Sequence, residues 1–301
     1  MNIGGAVAVG TRSFRVAGAL RNSNLSFASP VNGFTVGSDV NNSTIAGTDF
    51  NSLRFGRVNN LTLNPTGKIK SVTAWEWLGG AVTGTEIKSF SILGNRKEGL
   101  TGDLSANVRL TQPGLFRVTG DVRDTQLNIT FGSIFLIQGN LTSTDLFFNQ
   151  LFFFTPGVSR ATIAGTVVDS QIIANDVVGD LVIGGMERST LNIGGSPGND
   201  FFTQGNAFAQ TGYARSITIG KTGSKDLNFV SSSVIGNRID SLRIVGIDTF
   251  NGNVSFGVSA RSFGTVDIIS PEGVRRFTNA SEPFFLNDFE VRPNFVAPDR
   301  A

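Results

Sequence analysis

The sequence predicts an all-β fold, a single-stranded right-handed parallel β-helix (β-solenoid) of about 11–12 coils, each of roughly 19–26 residues. Three observations carry this reading. A unit of about 20 residues recurs along most of the chain, apolar residues alternate at period two within it, and the composition favours turns over charge. Gly contributes 37 of the 301 residues and charged residues only 16%, a mixture suited to short strands joined by many corners.

The repeat is explicit in four copies. Phe14-x-Val16-x-Gly18-x-Leu20-x-x-Ser23-x-Leu25-x-Phe27 aligns with Phe116-x-Val118-x-Gly120-x-Val122-x-x-Thr125-x-Leu127-x-Ile129. Phe135 to Phe148 and Ala161 to Ile172 repeat the pattern, and looser copies start at Phe34, Leu53, Val72, Phe90, Leu181, Ile217, Leu242 and Val266. Steps between starts are 20, 19, 19, 18, 26, 19, 26, 20, 36, 25 and 24 residues, so several copies carry insertions. Alternation marks strands with one buried face. The recurrent glycine is expected to supply a positive φ or a tight corner. Pairs such as Asn41–Asn42 and Asn59–Asn60 suit turns, because Asn tolerates the left-handed region. Units this short must stack to bury their apolar face. Right-handedness follows from the general preference of parallel crossovers. An antiparallel sandwich is disfavoured by the scarcity of Asn-Gly dipeptides, found at Asn32–Gly33 and Asn251–Gly252.

Composition removes much chemistry. The chain has no His and no Cys, which excludes a Ser-His-Asp triad, a thiolate nucleophile, imidazole or thiolate metal sites and disulfides. No cofactor is expected. Formal net charge is +2 and the pI of about 9.2 reflects a flat titration curve rather than a basic surface. Clustered Lys and Arg are missing, so nucleic acid is not an expected partner. No apolar run approaches the roughly 18–20 residues of a membrane span, and membrane insertion is not expected.

The units Ser-Phe-Arg-Val-Ala-Gly (13–18), Phe-Arg-Val-Thr-Gly-Asp-Val (116–122) and Asp-Leu-Val-Ile-Gly-Gly (180–185) resemble those of bacterial extracellular β-strand-repeat solenoids. That group includes adhesins, autotransporter passengers and surface-layer or filament subunits. The resemblance covers about residues 3–270 and implies an extracellular or cell-surface location with a structural or adhesive role. It transfers no catalytic residues.

Residues 1–270 are therefore expected to form the solenoid, starting in mid-repeat, because Ile3-Gly4-Gly5 echoes Ile193-Gly194-Gly195. Residues 271–301, with Pro271, Pro283, Pro293 and Pro298, lack the repeat and are expected to cap the last coil or dock on a neighbour. Self-association into a homo-oligomer or filament would use the open rung at Ile3, the aromatic run Phe152-Phe153-Phe154 and the tail residues Phe284, Phe285 and Phe289. Phe148 is expected inside, in an aromatic ladder.

A glycan is the other expected partner. Trp75 and Trp77, two apart and so expected on one side of a strand, could stack on sugars. The insertion at 194–214 carries Phe201, Phe202 and Tyr213 as further ligand candidates. The alternative to a non-enzymatic scaffold is a β-helix polysaccharide lyase or hydrolase, since paired carboxylates need no His. Close pairs are Asp121 and Asp124, Asp176 and Asp180, and Asp267 and Glu272. Such an enzyme needs acids at one position of consecutive rungs. Asn140 and Thr166 follow Asp121 at its position, so no acidic stack is expected.

Overall fold

The computed structural model describes residues 4–7, 13–130, 132–149, 158–175, 177–194, 212–221, 227–279 and 281–293. Two compact units divide the chain, Met1–Gly139 and Asn140–Ala301. Each is a parallel β-helix whose coil has three short strands.

In the first unit the repeat starts stack in register. Phe14, Phe34, Leu53, Val72, Phe90, Phe116 and Phe135 pair in succession along the first face. The second face stacks Leu20, Val40, Val58, Trp77, Leu104 and Val122. The third stacks Leu25, Ile45, Leu63, Val82, Val108 and Leu127. Apart from half-buried Phe14, all of these are at most 2% exposed. Alternation thus translates into inward columns, which repeat once per coil because the coil closes on itself. Phe90, Phe116 and Phe135 stack face to face, with centroids 5.3 and 4.8 Å apart. The 26-residue step after Phe90 holds an added loop with a short 3-10 turn at Arg96–Glu98, capped by Asn95.

The second unit repeats the arrangement. Ala161, Leu181, Ile217, Leu242 and Val266 stack on the first face. Leu141, Val167, Met186, Phe229 and Ile247 stack on the second. Leu146, Ile172, Leu191, Val234 and Val258 form the third. Phe148 is 1% exposed, inside as its spacing predicts.

The corners divide their labour differently from the sequence expectation. The glycines of the four explicit copies, Gly18, Gly120, Gly139 and Gly165, do not take positive φ, although Gly94 and Gly246 of looser copies do, at 67° and 73°; several of the others allow backbones to touch. A Cβ on Gly56 would stand 2.4 Å from the Ser38 carbonyl oxygen, and one on Gly139 the same distance from that of Gly120. Positive φ falls instead at the second corner, at Asn22, Asn42, Asn60, Asp124, Ser143, Asp169, Arg188 and Ser231, with φ between 46° and 69°. At five of these eight corners the residue is Asn or Asp, whose short polar side chain lowers the strain of the left-handed region.

A hydroxyl usually follows that residue. In the second unit Ser170, Ser189 and Ser232 form a buried ladder. Each hydroxyl donates to the carbonyl two residues back, at 2.7–2.8 Å. Each also accepts the backbone N–H of the equivalent Thr144, Ser170 or Ser189 in the preceding coil, at 3.0–3.1 Å. In the first unit Ser23 and Ser43 make the same donation, and the Ser43 hydroxyl accepts the Ser23 N–H at 3.2 Å. The Ser/Thr of the repeat is therefore a satisfied buried polar group, not a solvated turn.

Beyond Ser270 the pattern changes, though not entirely. Gly273–Thr278 folds back antiparallel on Thr265–Ser270. Phe284–Leu286 and Phe289–Pro293 make a second hairpin. Phe289–Pro293 also pairs parallel with Phe256–Ala260, placing Val291 on the Val258 column. The tail read as non-repeating thus contributes one further parallel rung to the third face, and its hairpins cover the last coil.

Candidate functional site

The acids of the first unit do stack, contrary to the sequence expectation. Arg57, Glu76, Asp103 and Asp121 occupy one position of four successive rungs. Comparison of Asp121 with the later Asn140 and Thr166 missed the earlier members, because Glu76 and Asp103 lie in loose copies with an insertion between them. Each acid already has a partner. Glu76 pairs with Arg57 at 3.2 Å, Asp103 accepts the Asp121 N–H at 2.9 Å and the Thr101 hydroxyl at 2.8 Å, and Asp121 pairs with Arg123. This column ties corner to corner.

The second unit has an outward Arg/Asp network. The Asp180 carboxylate accepts from Arg215 at 2.9 Å, and Asp267 from Arg276 at 2.6 and 2.8 Å. Tyr213 donates its hydroxyl to Asp240 at 2.5 Å, while Arg238 donates to the same carboxylate at 2.8 Å and lies 5.3 Å from the Tyr213 ring centroid. Hydrogen bonds from Arg188, Arg215 and Arg276 hold Asp169, Asp180 and Asp267 below the usual carboxylate range. At Asp240 desolvation pushes upward, but hydrogen bonds from Tyr213 and Arg238 outweigh it and the pKa falls. The Asp240 hydrogen bond raises the Tyr213 pKa, keeping the phenol protonated. An acid catalyst of glycoside hydrolysis needs the opposite shift.

These shifts fix a pH profile. A carboxylate with a lowered folded pKa contributes stability above its unfolded value, and that contribution is lost as pH falls through the folded value. With no His, no side chain ordinarily titrates between about pH 5 and 8. The melting temperature is expected to stay level across that window and to fall below about pH 4, as scanning calorimetry in a buffer series would show. A step near pH 6.5, the ordinary His value, would contradict this.

The sequence-predicted site residues scatter. Trp77 is fully buried, its indole N–H donating to the Gly79 carbonyl at 3.0 Å, so it offers no face to a sugar. Trp75 is half-buried and does not share its side, because the chain bends at Trp75 between Lys68–Ala74 and Glu76–Trp77 and alternation breaks there. Arg238 covers Tyr213. Phe289 is fully buried and lies in the core rather than on an interface, Phe284 is half-buried against Phe277, and Phe285 is 57% exposed. Ile3, Phe152, Phe153, Phe154, Phe201 and Phe202 lie outside the described residues.

No protein-family model, curated protein or solved structure matches the chain. Among the described residues no group of three or more acids, His or Cys could hold a metal ion, and no helix is long and apolar enough to cross a membrane.

Sequence reasoning missed one concave site. Val31, Phe50, Ile69 and Ile87 share an inward column of the first unit. The outward residues on either side line a groove of about 380 Å³. Before the column stand Pro30, Asp49, Lys68 and Glu86; after it stand Asn32, Asn51, Lys70 and Lys88. Lys68 pairs with Glu86 at 2.8 Å, and Asp49 accepts the Lys68 N–H at 2.7 Å. Asn51 donates to Asn32 at 2.9 Å. Lys70 and Lys88 are exposed and form no ion pair among the described residues. The available signal was spacing: three of the six lysines fall within residues 68–88, and Lys70 and Lys88 are one 18-residue coil step apart.

Proposed function

We propose that the chain is a non-enzymatic, extracellular structural or adhesive β-solenoid that self-associates into a filament or surface assembly. One observation carries most weight. Gly273–Thr278 hydrogen-bonds along one edge to Thr265–Ser270, while its other edge pairs with no described strand. Val274 on that strand is 67% exposed, and Phe285 on the neighbouring hairpin 57%. An open edge with apolar side chains beside it suits strand addition by a second copy, with backbone hydrogen bonds supplying affinity. The acids and arginines spent on tying rungs together support a scaffold rather than a catalyst. The resemblance of the repeat units supports the cell-surface location.

Light scattering and negative-stain microscopy of the purified chain are the test. Oligomers or filaments that disperse on Val274→Lys with Phe285→Lys are the expected result. A monodisperse monomer at high concentration would remove the self-association reading. The Glu76, Asp103 and Asp121 column keeps a carbohydrate-active enzyme as the second reading; reducing ends or unsaturated products released from acidic polysaccharides would favour it.

A further inference from the structure

The groove over Lys68, Lys70 and Lys88 has features that rung-to-rung packing does not need. Its volume of about 380 Å³ lies within the range of small-ligand sites. Its polar lining is arranged in registered columns rather than dispersed. Asn32, Asn51, Lys70 and Lys88 follow one another at a single outward position, one rung apart, which is about 4.8 Å. The other column is largely self-satisfied through Lys68, Glu86 and Asp49. The site therefore offers two adjacent ammonium groups that repel each other, followed by two amides with spare donor and acceptor capacity.

We propose that this groove binds a linear carboxylated oligosaccharide, with successive uronate carboxylates on Lys70 and Lys88 and sugar hydroxyls on Asn32 and Asn51. The repeat of an extended sugar chain is comparable with the rung spacing, so a polymer along the stack meets one lysine per acidic residue. Lysine suits this role as a compact charge that needs no fixed fork geometry. The opposing Glu86 and Asp49 limit the net positive charge, and the one aromatic residue of the lining, Phe50, is 1% exposed. Single-stranded nucleic acid, which needs a basic track with exposed rings for stacking, fits the site less well. The site does not require copies of the chain to associate.

Isothermal titration of the full chain with oligogalacturonate tests the proposal. Binding is expected to weaken with added salt. It should drop about tenfold for each of Lys70→Gln and Lys88→Gln, and persist in the Lys70→Arg, Lys88→Arg double variant. Arg96→Gln with Lys97→Gln removes two charges, one more than either lysine variant, from an exposed turn elsewhere in the unit and should leave affinity unchanged. Unchanged circular dichroism in each variant separates lost binding from lost fold. Absence of binding, equal binding of neutral dextran, or equal loss in the Arg96/Lys97 variant would overturn the proposal. Tighter binding of heparin or single-stranded DNA would overturn the carboxylate assignment.

Discussion

Phe116→Ala should lower the stability of the first unit by about 3–5 kcal/mol. Phe116 is fully buried, with rings stacked on both sides at 5.3 Å (Phe90) and 4.8 Å (Phe135). Truncation removes the transfer term and leaves a cavity that the neighbouring rings cannot fill, since Phe90 is held in register by strand pairing on both edges and Phe135 by pairing with the Phe116 strand itself. Equilibrium urea unfolding reads the effect. Both tryptophans of the chain, Trp75 and Trp77, belong to this unit, so intrinsic fluorescence follows it selectively. Ile134→Ala is the matched control in the same unit: its side chain is 48% exposed, and the expected change is within about 0.5 kcal/mol. Similar losses in the two variants would mean that the Phe116 column is not a packed interior.

Gly56→Ala should cost about 1–3 kcal/mol through overpacking alone. Its new methyl would meet the Ser38 carbonyl oxygen at 2.4 Å and the carbonyl carbon at 2.9 Å, both backbone atoms of the preceding coil. Relief requires the coils to separate at that corner, weakening the ladder bonds beside it. Gly18→Ala, at the same place in the repeat, meets nothing within 4 Å and should be nearly neutral. Thermal unfolding of the two variants against the unchanged chain makes the comparison. Equal effects would show that the repeat glycine acts through backbone entropy rather than close approach.

Much of the architecture was legible because the coil imposes one period on everything inside it. The starts at Phe34, Leu53, Val72 and Phe90, loose as motifs, are true register partners of Phe14 and Phe116, since only apolar character at the right step is needed to join an inward column. The corners were harder. Glycine invites an argument from φ, yet at Gly56 and Gly139 it serves contact, and that depends on the neighbouring coil, which local sequence does not display. Trp75 and Trp77 were misread because alternation is a property of continuous strands and the chain turns between them. Outward residues carry no apolar periodicity, so the column through Glu76 and Asp103 and the lysine groove became visible only once the registers were known. Phe289 illustrates the converse. Outside the recognisable repeat, a buried side chain and a surface one look alike in sequence.

The serine corner has a consequence for how such a chain can grow. Ser170 and Ser189 each receive from one neighbour the same bond that their own amide gives to the next, and Ser232 receives the last of the series. A duplicated coil therefore arrives carrying both halves of the joint and can be inserted between any two others without compensating changes. Length becomes a freely variable trait, with each added turn as well seated as its parent. The corner at Asn60–Leu61 lacks the hydroxyl, and there the Leu61 N–H bonds instead to the Gly79 carbonyl at 3.2 Å. A copy of that coil would fit only beside a glycine placed to receive it, so duplication should favour the serine-cornered coils as templates.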